Sequence, residues 1–177
     1  MSSRILVDEI YGKTANSSAL TIDSSGRVLT PARPSFFVSH DSSSLAGLTG
    51  TVNFNTVHSN TGSHFDITND RFVAPVAGFY HFSFTGLGAG SSSGAVVAAG
   101  AACRVEIQRS TDSGSSYTPF AHSYGYVASS THHPNMACSG ATELTVGDYV
   151  IVNVTTNYLY VSTNEKYDPR FSGFLVG

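Results

Sequence analysis

The residues that most closely match a catalytic pattern are GSSSG, at positions 90 to 94. This sequence fits G-x-S-x-G, in which a nucleophilic serine stands on a sharp turn between a strand and a helix. Here it lies in a run of small residues, and no helical period of apolar residues follows it. We interpret it as a flexible loop, and an esterase-like enzyme is the least favoured of three functional hypotheses.

A second pattern, STDSGSSY at 110 to 117, resembles the Asp-box turn S-x-D-x-G-x-T-W. Ser116 and Tyr117 occupy its last two places. Such a turn orders a β-hairpin through hydrogen bonds of its short polar side chains to the nearby backbone. The pattern therefore predicts a hairpin and does not imply a sialidase.

The histidines and carboxylates do not by themselves form a catalytic or metal-binding pattern. His132 and His133 are adjacent, so in a strand they would point to opposite sides and could not hold one ion together. Next to Pro134 we expect them in a loop. Glu143 and Asp148, near one turn, are interpreted as turn or surface charges and not as a general acid and base. We predict no catalytic residue and no metal ligand.

The composition excludes several classes of function. Charged residues make up 12% of the 177 residues, the net charge is −3, and Lys and Arg are scattered. The chain therefore lacks the basic surface expected of a protein that binds nucleic acid or an anionic membrane. No run of about 18 apolar residues occurs, so we expect no membrane insertion. MSSRILVDEI lacks the apolar core of a secretory signal.

Cys103 and Cys138 are expected as buried free thiols, with a bridge as the alternative.

The elements that must position these residues are β-strands, because no stretch carries a helical period of apolar residues. From Pro34 onward, short strand-like segments alternate with turns rich in Gly, Ser, Asn and Asp. This spacing predicts an all-β antiparallel sandwich or jelly roll. The ten segments are SFFVS, TVNFNTV, HFDI, RFVAPV, GFYHFSFTG, CRVEIQRS, YTPFAHSY, MACSGATEL, DYVIVNVTTNYLYVS and RFSGFLVG. The run GLGAGSSSGAVVAAGA, residues 86–101, predicts a long loop followed by a strand of small residues.

Residues 1–30 differ from the rest of the chain. RILVDEIYG and ALTIDSSGRVLT are short β-like pieces, the second with a DSSG turn, and neither has enough apolar residues for a core of its own. PARP, at 31–34, is expected to form a stiff junction. We therefore predict a short N-terminal β-rich extension, residues 1–33, for attachment or trimerisation, followed by a head, residues 34–177.

Two predicted strands have a core face and a second face of mixed character. In residues 79–85 and 149–155 the core positions are Tyr80, Phe82, Phe84, Val150, Val152 and Val154. The opposite positions combine large side chains, such as Phe79 and Ile151, with small polar ones and carry no long charge. A surface of this kind suits a subunit contact. Ordinary surface aromatics are the alternative.

The sequence NTGSHFDITNDRFVAPVAGFYHFSF, residues 60–84, resembles the globular head of the complement C1q and tumour necrosis factor superfamily. PSFFVS, SGATELTVGDYVIV and FSGFLVG fall in the expected order around it. The resemblance covers residues 34–177 and implies a ten-stranded jelly roll that forms a homotrimer. It also implies that GFYHFSF, DYVIVNV and FSGFLV share the inner sheet and turn one face to the trimer axis. The interface so predicted consists of Phe79, His81, Tyr149, Ile151, Phe171 and Phe174.

The same resemblance bears on metals. On a strand facing the trimer axis, three copies of His81 could form a metal or pH-sensitive site, or His81 could be a hydrogen-bonded interface residue. Relatives often bind calcium near the trimer apex, to which the loop carboxylates Asp41, Asp66, Asp70 and Asp112 could contribute. No calcium-loop spacing is present. We expect no cofactor, with calcium as the alternative.

The N-terminal extension is similar in style to the β-rich leaders that precede trimeric heads in bacteriophage fibres. We therefore expect a non-enzymatic homotrimeric virion structural protein: a phage tail fibre, knob or capsid decoration protein, assembled in the host cytoplasm and bound to other virion proteins through residues 1–30. Attachment to a host cell-surface glycan or protein would use loops of the head, where we single out Tyr124, Tyr126, His132 and His133. The alternative is a soluble bacterial C1q-like binding protein unconnected with a virus.

Overall fold

The computed structural model describes residues 7–11, 18–42, 44, 46–126, 132–162, 164 and 167–176. This part of the chain contains fourteen β-strands and no α-helix. No helix in it is therefore long and apolar enough to cross a membrane. The strands are β1 Glu9–Tyr11, β2 Ser18–Ile22, β3 Val28–Leu29, β4 Ser35–Ser39, β5 Ala46–Thr51, β6 Thr56–Thr61, β7 Phe65–Asp66, β8 Arg71–Val73, β9 Gly78–Ala89, β10 Ala102–Ser110, β11 Thr118–Tyr126, β12 Asn135–Leu144, β13 Tyr149–Val161 and β14 Arg170–Leu175.

Strands β4 to β14 form an antiparallel sandwich of two layers. The first layer has the strand order β12-β9-β14-β4-β6. The second has the order β11-β10-β13, with β5 and β8 on the other edge of β13. The layers are joined where residues 158–160 of β13 pair with residues 87–89 of β9. The predicted all-β jelly-roll sandwich is confirmed.

The described head has eleven strands where ten were predicted. The segment TVNFNTV, residues 51–57, divides into the end of β5 and the start of β6, because Val52 and Phe54 between them turn into the core (0% and 2% exposed). The predicted strand of small residues is absent. β9 instead continues to Ala89, and residues 90–101 form a loop whose Val97 is completely buried.

The core between the two layers is built mainly from phenylalanine. Phe36 of β4 stacks on Phe72 of β8 with 5.3 Å between ring centroids, and Phe82 of β9 meets Phe120 of β11 edge-on at 5.9 Å. Each pair joins the first layer to the second. Burial of a phenylalanine side chain stabilises the fold by about 1.5–3 kcal/mol, and a ring pair adds about 0.5–1.5 kcal/mol. This core decides which strand faces point outward.

The N-terminal strands β1, β2 and β3 form a separate three-stranded antiparallel sheet. Its DSSG turn is closed by Asp23, whose carboxylate accepts hydrogen bonds from the amides of Ser25 and Arg27 at 2.9 and 3.0 Å. The sheet leaves apolar side chains uncovered, since Val28 and Tyr11 are 64% and 56% exposed. In its described residues the sheet therefore does not bury a core of its own.

The junction with the head lies beside the last strand. Arg33 donates from Nη2 to the carbonyl oxygen of Val176 at 3.0 Å, and the carbonyl oxygen of Pro34 accepts from the amide of Leu175 at 3.0 Å. Of the extension predicted at residues 1–33, residues 1–6 and 12–17 lie outside the described part. The rest reaches the head at the end where β4 begins and β14 ends.

Candidate functional site

The outward face of the first layer is made mainly of small side chains. Three neighbouring rows cross β12, β9, β14 and β4, and residues opposite each other in a row share a face. We name this surface the small-residue face; its rows are Ala137, Thr85, Arg170 and Ser39, then Ser139, Ser83, Ser172 and Phe37, then Ala141, His81, Phe174 and Ser35. Arg170 is the only long charged side chain in the three rows. Another protein surface could therefore approach the backbone of this sheet closely.

One end of the small-residue face, beside Pro34, carries two uncovered aromatic rings. Phe79 is 45% exposed and Phe174 is 44% exposed. The ring of His81 lies 5.4 Å from that of Phe174, centroid to centroid. Apolar area left in water is unfavourable, and a partner surface would remove it.

Three of the six residues predicted for the subunit interface do not lie on this face. Phe171 is 1% exposed and points into the core, because it stands three residues from Phe174 and so on the opposite side of β14. Tyr149 and Ile151 belong to the part of β13 that pairs with β10 and β8 of the second layer, and not with β9 or β14. The prediction that all six share one inner sheet face is wrong. The other three do share it.

Tyr149 and Ile151 have partners within the chain. The guanidinium carbon of Arg71 lies 4.0 Å from the centroid of the Tyr149 ring. Ile151 is 5% exposed and stands opposite Gln108 in the β10–β13 ladder. The mixed second face of this strand therefore reflects, at least at these two positions, contacts made inside one chain.

Beside Ile151, a row of polar side chains follows β10 on the outward face of the second layer. Glu106 is its centre: Arg104 Nη2 lies 2.7 Å from Oε1, and Gln108 Nε2 donates to Oε2 at 2.5 Å. Asn153 Nδ2 donates to Gln108 Oε1 at 3.4 Å. Glu106 and Gln108 are 5% and 7% exposed. This row was not predicted, although the alternation of polar and apolar residues in RVEIQ, residues 104–108, is a signal for it.

The two tyrosines predicted to bind a ligand lie on strand β11 and not on a loop. Tyr124 and Tyr126 occupy alternate positions, share one face and are 63% and 64% exposed. His122 stands on the same face and is also exposed. Tyr124 lies opposite Arg104, and His122 lies opposite Glu106. An aromatic row on β11 therefore runs beside the polar row on β10.

The two histidines predicted with these tyrosines have other surroundings. Nδ1 of His133 donates to the carbonyl oxygen of Gly88 at 2.8 Å, and its ring lies 4.0 Å from that of Tyr160. His132 is exposed, and residues 127–131, which connect it to β11, lie outside the described residues. The structure does not bring His133 into the aromatic row of β11.

The GSSSG sequence forms a turn and not a nucleophile elbow. The hydroxyl oxygens of Ser91 and Ser93 lie 2.8 Å apart, and the carbonyl oxygen of Ser92 accepts a hydrogen bond from the amide of Gly47 at 2.8 Å. Residues 90–101, all of them described, contain no helix after the turn. The strand–turn–helix arrangement that the motif requires is therefore missing.

The STDSGSSY sequence forms the predicted hairpin turn between β10 and β11. Asp112 accepts hydrogen bonds from the hydroxyl of Ser116 at 2.6 Å, the hydroxyl of Ser110 at 2.7 Å and the amide of Ser116 at 2.9 Å. These bonds hold the pKa of Asp112 at about 2, well below its ordinary value of 3.8. The STDSGSSY sequence therefore has a structural role, because its side chains order the turn between β10 and β11.

The carboxylates singled out for calcium include two, Asp41 and Asp70, that accept hydrogen bonds from groups about 15 residues away in the chain. Asp41 accepts from the hydroxyls of Thr56 and Ser39 at 2.6 and 2.7 Å, and Asp70 accepts from the amide of Phe54 at 2.7 Å. Burial raises the pKa of Asp70, whereas the hydroxyl donors lower that of Asp41. In the described parts of the chain, no group of three or more His, Cys, Asp or Glu side chains could hold a metal ion.

Comparison with known proteins gives this arrangement of strands a family. The model of the C1q domain matches residues 35–176, from the first residue of β4 to the last described residue. The chain belongs to the C1q domain family. Its C1q domain begins directly after the PARP junction.

Among solved structures, the globular domain of zebrafish complement 1qA protein has a similar fold. It superposes with a TM-score of 0.54 at 19% sequence identity, over 82% of this chain and 98% of the zebrafish domain. At this identity the likeness concerns the fold. Nearly the whole zebrafish domain thus has a counterpart here.

Proposed function

We propose that this C1q domain is a non-enzymatic homotrimeric recognition module. The small-residue face, with Phe79 and Phe174 at one end, is the observation that supports a trimer. Its small side chains permit close packing against a second copy. Covering two rings that are 45% and 44% exposed would remove apolar area from water. Rotation about a threefold axis presents the same pair of surfaces at every contact and closes the ring.

Ser83→Arg tests this arrangement, because Ser83 lies in the middle row between Ser139 and Ser172. A long cation there would be buried without a partner, at a cost of several kcal/mol per copy. Native mass spectrometry at low micromolar concentration should show three chains for the wild type and one for Ser83→Arg. Ser115→Arg, in an exposed turn, is the matched control and should keep three. A monomeric wild type, or a Ser83→Arg variant that assembles normally, would contradict the proposal.

We also propose that the extension, residues 1–33, mounts the head on a bacteriophage virion. Two observations support it: β1 to β3 leave Val28 and Tyr11 uncovered, and the sequence is similar in style to fibre leaders. The particle would be assembled in the host cytoplasm, with the head on a tail fibre, as a knob or as capsid decoration. Mass spectrometry of purified particles should find the chain in stoichiometric amount. Its presence only as free protein would favour the soluble bacterial binding protein.

The recognition part of the proposal assigns binding to the head, with a host cell-surface glycan or protein as the partner. Tyr124 and Tyr126 are the most exposed tyrosines of the described head, and His132 and His133 follow them in the chain. Fluorescently labelled head should adsorb to host cells and compete with particles for adsorption. If particles adsorb to host cells but the isolated head does not, this role is excluded.

A further inference from the structure

The outward face of the second layer combines aromatic and polar side chains in two parallel rows. His122, Tyr124 and Tyr126 stand on alternate positions of β11, about 6.8 Å apart along the strand. Next to them, on β10 and β13, lie the polar side chains of Arg104, Glu106, Gln108 and Asn153. We name these seven residues the aromatic–polar platform.

The polar half of the platform is already ordered. Glu106 holds Arg104 on one carboxylate oxygen and Gln108 on the other. At 5% exposure this carboxylate has little freedom to rotate, so little entropy would be lost when a ligand binds. Amide and guanidinium groups have further donors. An incoming polar molecule can therefore reach Arg104, whose side chain is 40% exposed, and the half-buried Asn153, which the buried Glu106 and Gln108 hold in place.

We propose that the aromatic–polar platform binds an uncharged oligosaccharide, an inference that rests on the proposed recognition function. Sugar rings present apolar C–H faces that pack on aromatic rings such as Tyr124 and Tyr126. Their hydroxyl groups both donate and accept hydrogen bonds, which matches the guanidinium of Arg104, the amide of Asn153 and the imidazole of His122. The charges of Arg104 and Glu106 cancel within one ion pair, so the platform does not favour an acidic polysaccharide.

The chemistry of the platform argues against a protein partner. Stable protein interfaces have an apolar centre that is depleted in charge, with polar groups at the rim. Here the order is reversed, because the centre is the ion pair of Arg104 and Glu106, and the tyrosines lie along the edge strand. A sugar chain laid along β11 would contact the rings in succession and the polar row at its side.

The experiment uses the full chain on an array of short, linear, uncharged hexose and N-acetylhexosamine oligosaccharides, followed by calorimetry with the best binder. We expect Tyr124→Ala and Tyr126→Ala each to weaken binding by about tenfold or more, and Tyr124→Phe, which keeps the ring, to bind nearly as the wild type does. The control is Tyr167→Ala, which removes another exposed ring (43%) outside the platform. It should leave affinity unchanged.

Three outcomes of the binding and mass measurements would overturn the proposal. The wild type binds no member of the array, or the Tyr124→Ala/Tyr126→Ala double variant binds as the wild type does, or the double variant is monomeric in native mass spectrometry. The last result would make the platform a contact between copies and would leave the trimer itself standing. Adsorption to host cells distinguishes failure of the platform from failure of the proposed recognition function. If the double variant still adsorbs, the platform alone is overturned. If the wild type never adsorbs, the recognition function is overturned.

Discussion

Gly173 lies directly against the ring of Phe82. A Cβ atom at Gly173 would stand 2.5 Å from Cδ1 of Phe82 and 2.7 Å from Cε1 of Phe36. Neither ring can yield easily, because both are packed in the core, at 0% and 3% exposure. The absence of a side chain in the middle of β14 is therefore what lets the rings of β4 and β9 pack over it.

We predict that Gly173→Ala lowers the free energy of unfolding by about 1–3 kcal/mol, because the added methyl group must displace one of the two rings. Urea unfolding followed by circular dichroism measures the difference. The matched control is Ser172→Ala, at the preceding residue, whose side chain lies on the outward face. It should change the free energy of unfolding by less than about 0.5 kcal/mol. Equal stability of Gly173→Ala and wild type would show that the rings move without cost.

The turn closed by Asp112 should make the stability of the head depend on pH in acid. Its pKa in the folded chain, about 2, is below its ordinary 3.8, so the ionised carboxylate stabilises the fold. This contribution is complete above about pH 5, falls as the pH drops from about 4 to 2, and is absent below 2. Asp112→Ala should therefore be less stable than wild type at pH 6, with a difference that shrinks towards pH 2.

Thermal unfolding of both proteins across this pH range measures the difference. Ser115→Ala, in the same turn, is the control and should show a difference that does not vary with pH in this way. A gap between Asp112→Ala and wild type that stays constant down to pH 2 would contradict the assignment of the effect to this carboxylate.

Both cysteines are free in the structure, as the sequence predicted, but only Cys103 is fully buried and Cys138 is half-buried. Both should react slowly in the folded protein. Burial raises the pKa of the Cys138 thiol from 9.0 to about 11 and raises that of Cys103 as well. For Cys138 the rise leaves about a hundredfold less thiolate at pH 8, and the thiolate is the reactive form. Iodoacetamide followed by mass spectrometry should find both unmodified in the folded chain and both alkylated in urea. Ser115→Cys should be labelled quickly; equally fast labelling of Cys138 would refute the prediction.

The extension should be dispensable for folding. β1 to β3 pair only with one another in the described chain. A chain that begins at Arg33, and so retains the hydrogen bond to Val176, should unfold with the stability of the full head, assemble as a trimer and fail to mount on particles. Circular dichroism, native mass spectrometry and particle incorporation measure these properties. Aggregation of this shortened chain would mean that the boundary is misplaced.

Strand positions could be predicted from the sequence because the signals are local. SFFVS corresponds residue for residue to β4, bounded by Pro34 and marked by the alternation of Phe36 and Val38. The same alternation misled at TVNFNTV, where Val52 and Phe54 enter the core from a connecting segment. A period of two in the burial of side chains does not by itself require ladder hydrogen bonds.

Which faces come together could not be predicted in the same way. The family resemblance and a mixed second face predicted that Tyr149 and Ile151 share the inner sheet with β9, but neither signal identifies the neighbouring strand. β13 pairs with β10 along its first half, a pairing set by the packing of the whole sandwich. Phe171 is different: its odd spacing from Phe174 already places the two on opposite sides of a strand.

The pairing of β4 with β14 has a consequence for synthesis of the protein. Phe36 belongs to the first strand of the head, and one edge of that strand is completed only by residues 170–174. On the ribosome, this edge stays open until nearly the entire domain has been translated. Sheets whose partners are far apart in sequence fold slowly and expose aggregation-prone edges while they wait. We therefore expect the yield of the head in a heterologous host to depend on the rate of translation and on temperature.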